Sequence, residues 1–66
     1  MENLRSFRKE KGLSQDAMAR VLGITLSMYE KVERGSTGVS AAFMRRLKAA
    51  YPDANIDTLF FANQQQ

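Results

Sequence analysis

Four glycines, at 12, 23, 35 and 38, and a single proline, Pro52, limit what this chain can fold into. They cut it into pieces of helical length. Between them no segment alternates apolar and polar residues for long enough to argue for a strand. A hydroxyl residue stands soon after each of the first two glycines, Ser14 after Gly12 and Thr25 after Gly23. Glycine suits the left-handed residue that closes one helix, and serine or threonine suits the cap that opens the next. The expected class is therefore all-α.

The first helix is expected from about Asn3 to Lys11, with Leu4, Phe7 and Lys11 on one stripe. The second runs from Gln15 to Leu22 and buries Met18, Ala19 and Leu22. The third runs from Leu26 to Arg34. At about 100° per residue, Tyr29 and Val32 share one side with the edge residues Thr25 and Glu33. Ser27, Lys31 and Arg34 point the opposite way, and Leu26, Met28 and Glu30 lie on the flanks. Ser40 caps a fourth helix, Ala41 to Tyr51, whose stripe is Phe43, Met44, Leu47, Ala50 and Tyr51. After a turn at Pro52-Asp53-Ala54, Asn55 caps a short fifth helix, Ile56 to about Phe60. Leu13 and Ile24 are apolar turn residues that plug the core. The expectation is one compact five-helix domain over residues 1–62 and a polar tail, 63–66.

Composition excludes more than it selects. A chain of 66 residues supports one domain with a modest core. Cysteine and histidine are absent. That rules out a disulfide frame, a zinc finger, a cysteine nucleophile and histidine-based catalysis. With neither a phosphate-binding glycine loop nor clustered carboxylates, no catalytic set and no cofactor is expected. No apolar run approaches the roughly 18 residues of a membrane span, and "MENLRSFRKEK" has no apolar signal segment, so a soluble, cytoplasmic protein is expected. At this length no ligand-sensing domain is expected either. The net charge of +3 is compatible with nucleic acid but ordinary for a surface. The placement of charge has to decide.

The second and third helices meet through only Gly23-Ile24-Thr25. So short a connection forces a sharp angle. Ala19, four residues before the turn glycine, lets the two helices approach closely. This is helix-turn-helix geometry, and it leaves the far side of the third helix free to enter a major groove.

The stretch "LRSFRKEKGLSQDAMARVLGITLSMYEKVERG" resembles the Cro/repressor-type helix-turn-helix family, also called the xenobiotic-response-element (XRE) family. The resemblance covers about Leu4 to Phe60. It rests on Arg8, "GLSQ" (Gly12 to Gln15), Met18-Ala19 with Gly23, and "ERG" (Glu33 to Gly35), all in register; "YPDANIDTLF" resembles the approach to the family's fifth helix. It implies a transcriptional regulator that binds double-stranded DNA, with the third helix in the major groove and a homodimer on a near-palindromic operator. Three positions depart from the family. Val39 stands where proline is common, the loop Ser36-Thr37-Gly38 lacks the usual lysine or arginine, and Leu26 replaces a polar base-contacting residue.

The resemblance implies that Gln15 contacts a phosphate, the alternative being a solvated first-turn residue. Ser27 and Lys31 face outward and suit base edges or phosphates, or simply solvent. Thr25 caps the helix and can also touch DNA. Glu30 can accept from a cytosine amino group, repel phosphate, or pair with Arg34 at i→i+4. Leu26 and Met28 have three readings: packing on thymine methyls, forming a protein-binding patch, or tucking against the first helices. In the family Arg8 and Glu33 form a structural ion pair that sets where the third helix sits. Arg34 leads into the loop that lies along the DNA backbone in relatives, whereas Arg45, Arg46 and Lys48 read as surface charge or phosphate contacts. Phe60 and Phe61 adjoin, and one is expected in a dimer interface, the alternative being that both pack under the tail. The rival function is a protein-interaction module, such as an antitoxin or anti-repressor, using Leu26, Met28 and Phe61.

Overall fold

The computed structural model describes residues 3–36, 38–56 and 59. Among them stand four α-helices: α1 (Leu4–Glu10), α2 (Gln15–Leu22), α3 (Leu26–Arg34) and α4 (Ala41–Ala50). This is one fewer than expected. The anticipated fifth helix, Ile56 to Phe60, falls largely outside the described residues. Of that segment, the Leu59 N–H donates to the Asn55 carbonyl at 3.0 Å, and Leu59 is buried. Phe60, Phe61 and the tail 63–66 lie outside the described residues. No described helix is long and apolar enough to cross a membrane.

Each helix opens on a side-chain cap. Asn3, Ser14, Thr25 and Ser40 accept from the backbone N–H three residues on, at Ser6, Ala17, Met28 and Phe43. Each such cap is worth about 1 kcal/mol against alanine. The helix ends are equally local. Gly23 and Gly35 sit at φ +73° and +83°, where a side chain would be strained. Their N–H groups donate to Arg20 and Val32 carbonyls, and the next residues, Ile24 and Ser36, reach back to Ala19 and Lys31. The same paired closure follows α1, where Gly12 donates to Lys9 and Leu13 to Arg8. In this motif the residue after the glycine is directed back at its own helix. That is why Leu13 and Ile24, though in turns, pack against the core.

The core joins Leu4 and Phe7 of α1, Met18, Ala19 and Leu22 of α2, Tyr29 and Val32 of α3, and Phe43 and Leu47 of α4, with Ala54 and Leu59 beyond. Tyr29, Met18 and Leu47 are its largest fully buried side chains. The Phe7 and Tyr51 rings meet edge to face at 5.3 Å, and Lys11, though exposed, holds its ammonium within 5.2 Å of both ring centres. Ala19 of α2 is only 2% exposed, and α2 packs against both α3 and α4. Tyr29 and Val32 of α3 are turned into this core, while Lys31 between them is exposed.

Candidate nucleic-acid interface

The mounting of α3 centres on Glu33. Its carboxylate is 1% exposed and accepts four hydrogen bonds. Arg8 of α1 donates Nε to Oε2 at 2.9 Å and Nη2 to Oε1 at 3.2 Å. The Tyr29 hydroxyl donates to Oε2 at 2.7 Å, and Gln15 Nε2 of α2 donates to Oε1 at 2.9 Å. Each oxygen therefore takes two donors, which fills the usual capacity of a carboxylate. Arg5 approaches Oε1 at 3.6 Å from a largely exposed position. Arg8 also donates Nη1 to the Leu13 carbonyl at 2.9 Å. One carboxylate thus ties α3 to α1, α2 and, through Arg8, the first turn.

The electrostatics follow from this geometry. Burial alone would push the Glu33 carboxyl up, but the hydrogen bonds from Arg8, Tyr29 and Gln15, with the Arg8 charge, outweigh it and hold it at about 2. The hydrogen bond to Glu33 raises Arg8 against its own desolvation. Burial first, and then the hydrogen bond to Glu33, drives the Tyr29 phenol well above its ordinary value of 10.

The second tie comes from α4. Arg46 Nη1 donates to the Leu22 carbonyl at 3.1 Å and lies 3.5 Å from the Gly23 carbonyl. These are end-of-helix carbonyls of α2, where a cation is favoured by both hydrogen bonding and the helix dipole. A Cβ on Gly23 would lie 2.8 Å from that guanidinium. Lys48 acts similarly, donating to the Pro52 and Ala54 carbonyls at 2.9 Å each.

The sequence-derived site residues divide accordingly. Arg8, Gln15 and Glu33 come together in the carboxylate cluster. Gln15, expected as a phosphate contact or a solvated side chain, donates one amide hydrogen to Glu33. Thr25, Leu26, Ser27, Met28, Lys31 and Arg34 are all exposed along α3, and Glu30 is half-buried. Among the described residues Glu30 and Arg34 form no ion pair. Arg34 donates Nε to Ser36 Oγ at 3.0 Å. Leu26 and Met28 are 38% and 47% exposed and belong neither to the core nor to the apolar residues packed on it. They are not tucked against the first helices.

Four contributions do not follow from the residue pattern alone. Tyr29 was assigned only to the core, although its i→i+4 spacing to Glu33 is a pairing signal on a helix. Arg46 and Lys48 were read as surface charge or phosphate contacts. Val21, 49% exposed on α2, was not singled out, although it stands off that helix's buried stripe.

A family model described as a helix-turn-helix domain matches residues 2–52 of this chain. The chain is also similar to an uncharacterized HTH-type transcriptional regulator of Bacillus subtilis (strain 168), YazB, with 43% identity over 42 residues. That alignment covers 64% of this chain and 61% of the relative. No solved structure gives a significant match.

Proposed function

The chain belongs to the helix-turn-helix domain family, and from that premise we propose that it is a transcriptional regulator that reads double-stranded DNA with α3 in the major groove. One observation carries the reading. α3 is anchored on its inner side by Tyr29, Val32 and the Glu33 carboxylate, while Thr25, Leu26, Ser27, Met28, Lys31 and Arg34 stand exposed along it. A rigid scaffold and an open helix face are what insertion into a groove requires. In this reading α2 crosses the sugar-phosphate backbone with the positive end of its dipole toward phosphate. Lys31 contacts a guanine edge or phosphate, and Ser27 a base edge or phosphate. Arg34 reaches phosphate beyond the end of α3. Thr25 adds a contact from its capping position, and Glu30 accepts from a cytosine amino group or excludes other bases. Gln15 contributes through its place in the Glu33 cluster. The protein acts as a homodimer on a near-palindromic site, its half-sites separated by about 34–36 Å. The resemblance to Cro/repressor-type (XRE) regulators and the YazB likeness support this reading.

Selection from random duplex DNA at low salt tests it. The expected result is an enriched, near-palindromic site whose log affinity falls linearly with log salt concentration. Sedimentation equilibrium checks the dimer. The exposed apolar residues Val21, Leu26 and Met28 favour a second reading, a protein-interaction module on the same scaffold. Failure to enrich any DNA at low salt supports that reading and excludes the first.

A further inference from the structure

We infer that α3 discriminates sequence chiefly by the C5-methyl groups of pyrimidines in the major groove, through Leu26 and Met28. The inference rests on the DNA-binding reading above and names what that helix reads.

The argument begins with the donors available. Two-point recognition of a purine edge uses arginine, lysine, asparagine or glutamine. The structure commits most such groups near α3 elsewhere. Gln15 Nε2 is held by Glu33, Arg8 by Glu33 and Leu13, and Arg46 by the Leu22 carbonyl. Arg34 gives its Nε to Ser36 and lies at the far end of α3, away from the N-terminal residues that meet base edges. The outward face of the helix is left with the Ser27 hydroxyl and the Lys31 ammonium. A hydroxyl is compatible with several bases, and a flexible ammonium serves phosphate as readily as guanine.

The apolar groups are placed where base contacts are made. Docking of a helix-turn-helix puts the N-terminal residues of its second helix against base edges. The large exposed hydrophobics among the described residues are Val21, Leu26 and Met28, so two of the three lie in the first turn of α3. They flank Ser27, about 100° to either side of it. The strip entering the groove first is therefore apolar, hydroxyl, apolar. The one apolar group on a base edge in the major groove of ordinary DNA is the thymine methyl. 5-Methylcytosine carries the same group at the same ring position. Lys31 and Arg34, exposed further along the helix, suit a polyanion on either side of that strip.

The test uses the intact chain and the site enriched by selection. Each thymine of a half-site is replaced in turn by deoxyuridine, which removes the methyl and leaves base pairing and polar edge groups unchanged. At least one replacement should weaken binding about fourfold, the worth of burying one methyl-sized group. In Leu26→Ala or Met28→Ala, the thymine and uracil sites should bind alike, with the salt dependence unchanged. Both residues are exposed, so both variants should keep the wild-type melting profile by circular dichroism. A second selection, from a library with every cytosine 5-methylated, separates the methyl donors. Thymine kept at the sensitive position assigns thymine, and its exchange for methylcytosine assigns methylcytosine. Equal binding of the thymine site and its fully uracil-substituted form by the wild type overturns the inference and leaves DNA binding standing. So does undiminished methyl sensitivity in both variants. No enriched DNA at all overturns the DNA-binding reading and this inference together.

Discussion

Arg8 and Glu33 are 25 positions apart in the chain and meet through two hydrogen bonds, Nε to Oε2 at 2.9 Å and Nη2 to Oε1 at 3.2 Å. Their side chains are 12% and 1% exposed, so neither charge can fall back on water. The pair is weak evidence for extra stability, because desolvation offsets most of the attraction. Its consequence is positional, since the α3 residue that follows the core face is bound to α1 and α2 at once.

Removing one partner is therefore costly. Glu33→Ala leaves Arg8, Gln15 and the Tyr29 hydroxyl without their shared acceptor and should destabilise by about 3–5 kcal/mol. Natural domains hold only roughly 0.05–0.15 kcal/mol per residue, so this is much of the total. Urea denaturation should show a large loss of stability, and DNA binding should fall with it. A variant as stable as the wild type that has lost only binding would contradict this role.

Acid should act through the same carboxylate. Glu33 sits at about 2 in the folded chain against an ordinary 4.5. Between those values the unfolded state binds the proton and the folded state does not, so unfolding gains as pH falls. The contribution is fully present above about pH 4.5 and lost as pH falls toward 2. Thermal melts across this range should show a steep acid limb, and the limb should flatten in Glu33→Gln, whose remaining stability lacks that titration.

Tyr29→Phe keeps the buried ring and deletes one charge-assisted donor. It should cost about 1.5–3 kcal/mol and raise the Glu33 carboxyl toward its ordinary value. Carbon-detected titration of the Glu33 side chain reads the second effect. In the wild type the Tyr29 phenol should stay protonated through the ordinary range of phenols, followed by absorbance near 295 nm. The folded-state value is raised, so this contribution is present below about pH 10 and lost as pH rises further.

Arg46 and Gly23 should be coupled. Arg46→Met removes the donor to the Leu22 carbonyl and a cation at the end of α2, and should cost about 1–2 kcal/mol. Gly23→Ala forces a Cβ into a left-handed backbone, about 1–2 kcal/mol by itself, and against the guanidinium at 2.8 Å. Once Arg46 is shortened, the steric part of the alanine penalty disappears. A double-mutant cycle should show the two losses adding to more than the double variant loses. Strict additivity would mean that the guanidinium moves aside freely.

What was legible in the sequence is what acts over a few residues. Ser14, Thr25 and Ser40 cap helices through N–H groups three residues on, and Gly23 and Gly35 close them through carbonyls three to five residues back. These contacts form wherever the local chain turns, so residue type and spacing suffice to find α2 and α3 to the residue. The buried stripes follow from helical periodicity in the same way. Arg8 and Glu33 could be matched only because the stretch resembles a family in which they pair. The rest needed the tertiary structure. Whether Gln15 turns to solvent, phosphate or Glu33 depends on how α2 and α3 cross, and residues 15 and 33 have no local relation. Arg46 and Lys48 were unreadable for a deeper reason: their acceptors are main-chain carbonyls, which every residue carries and no residue type announces. Only the packing of α4 against α2 brings that guanidinium to the carbonyls that end α2.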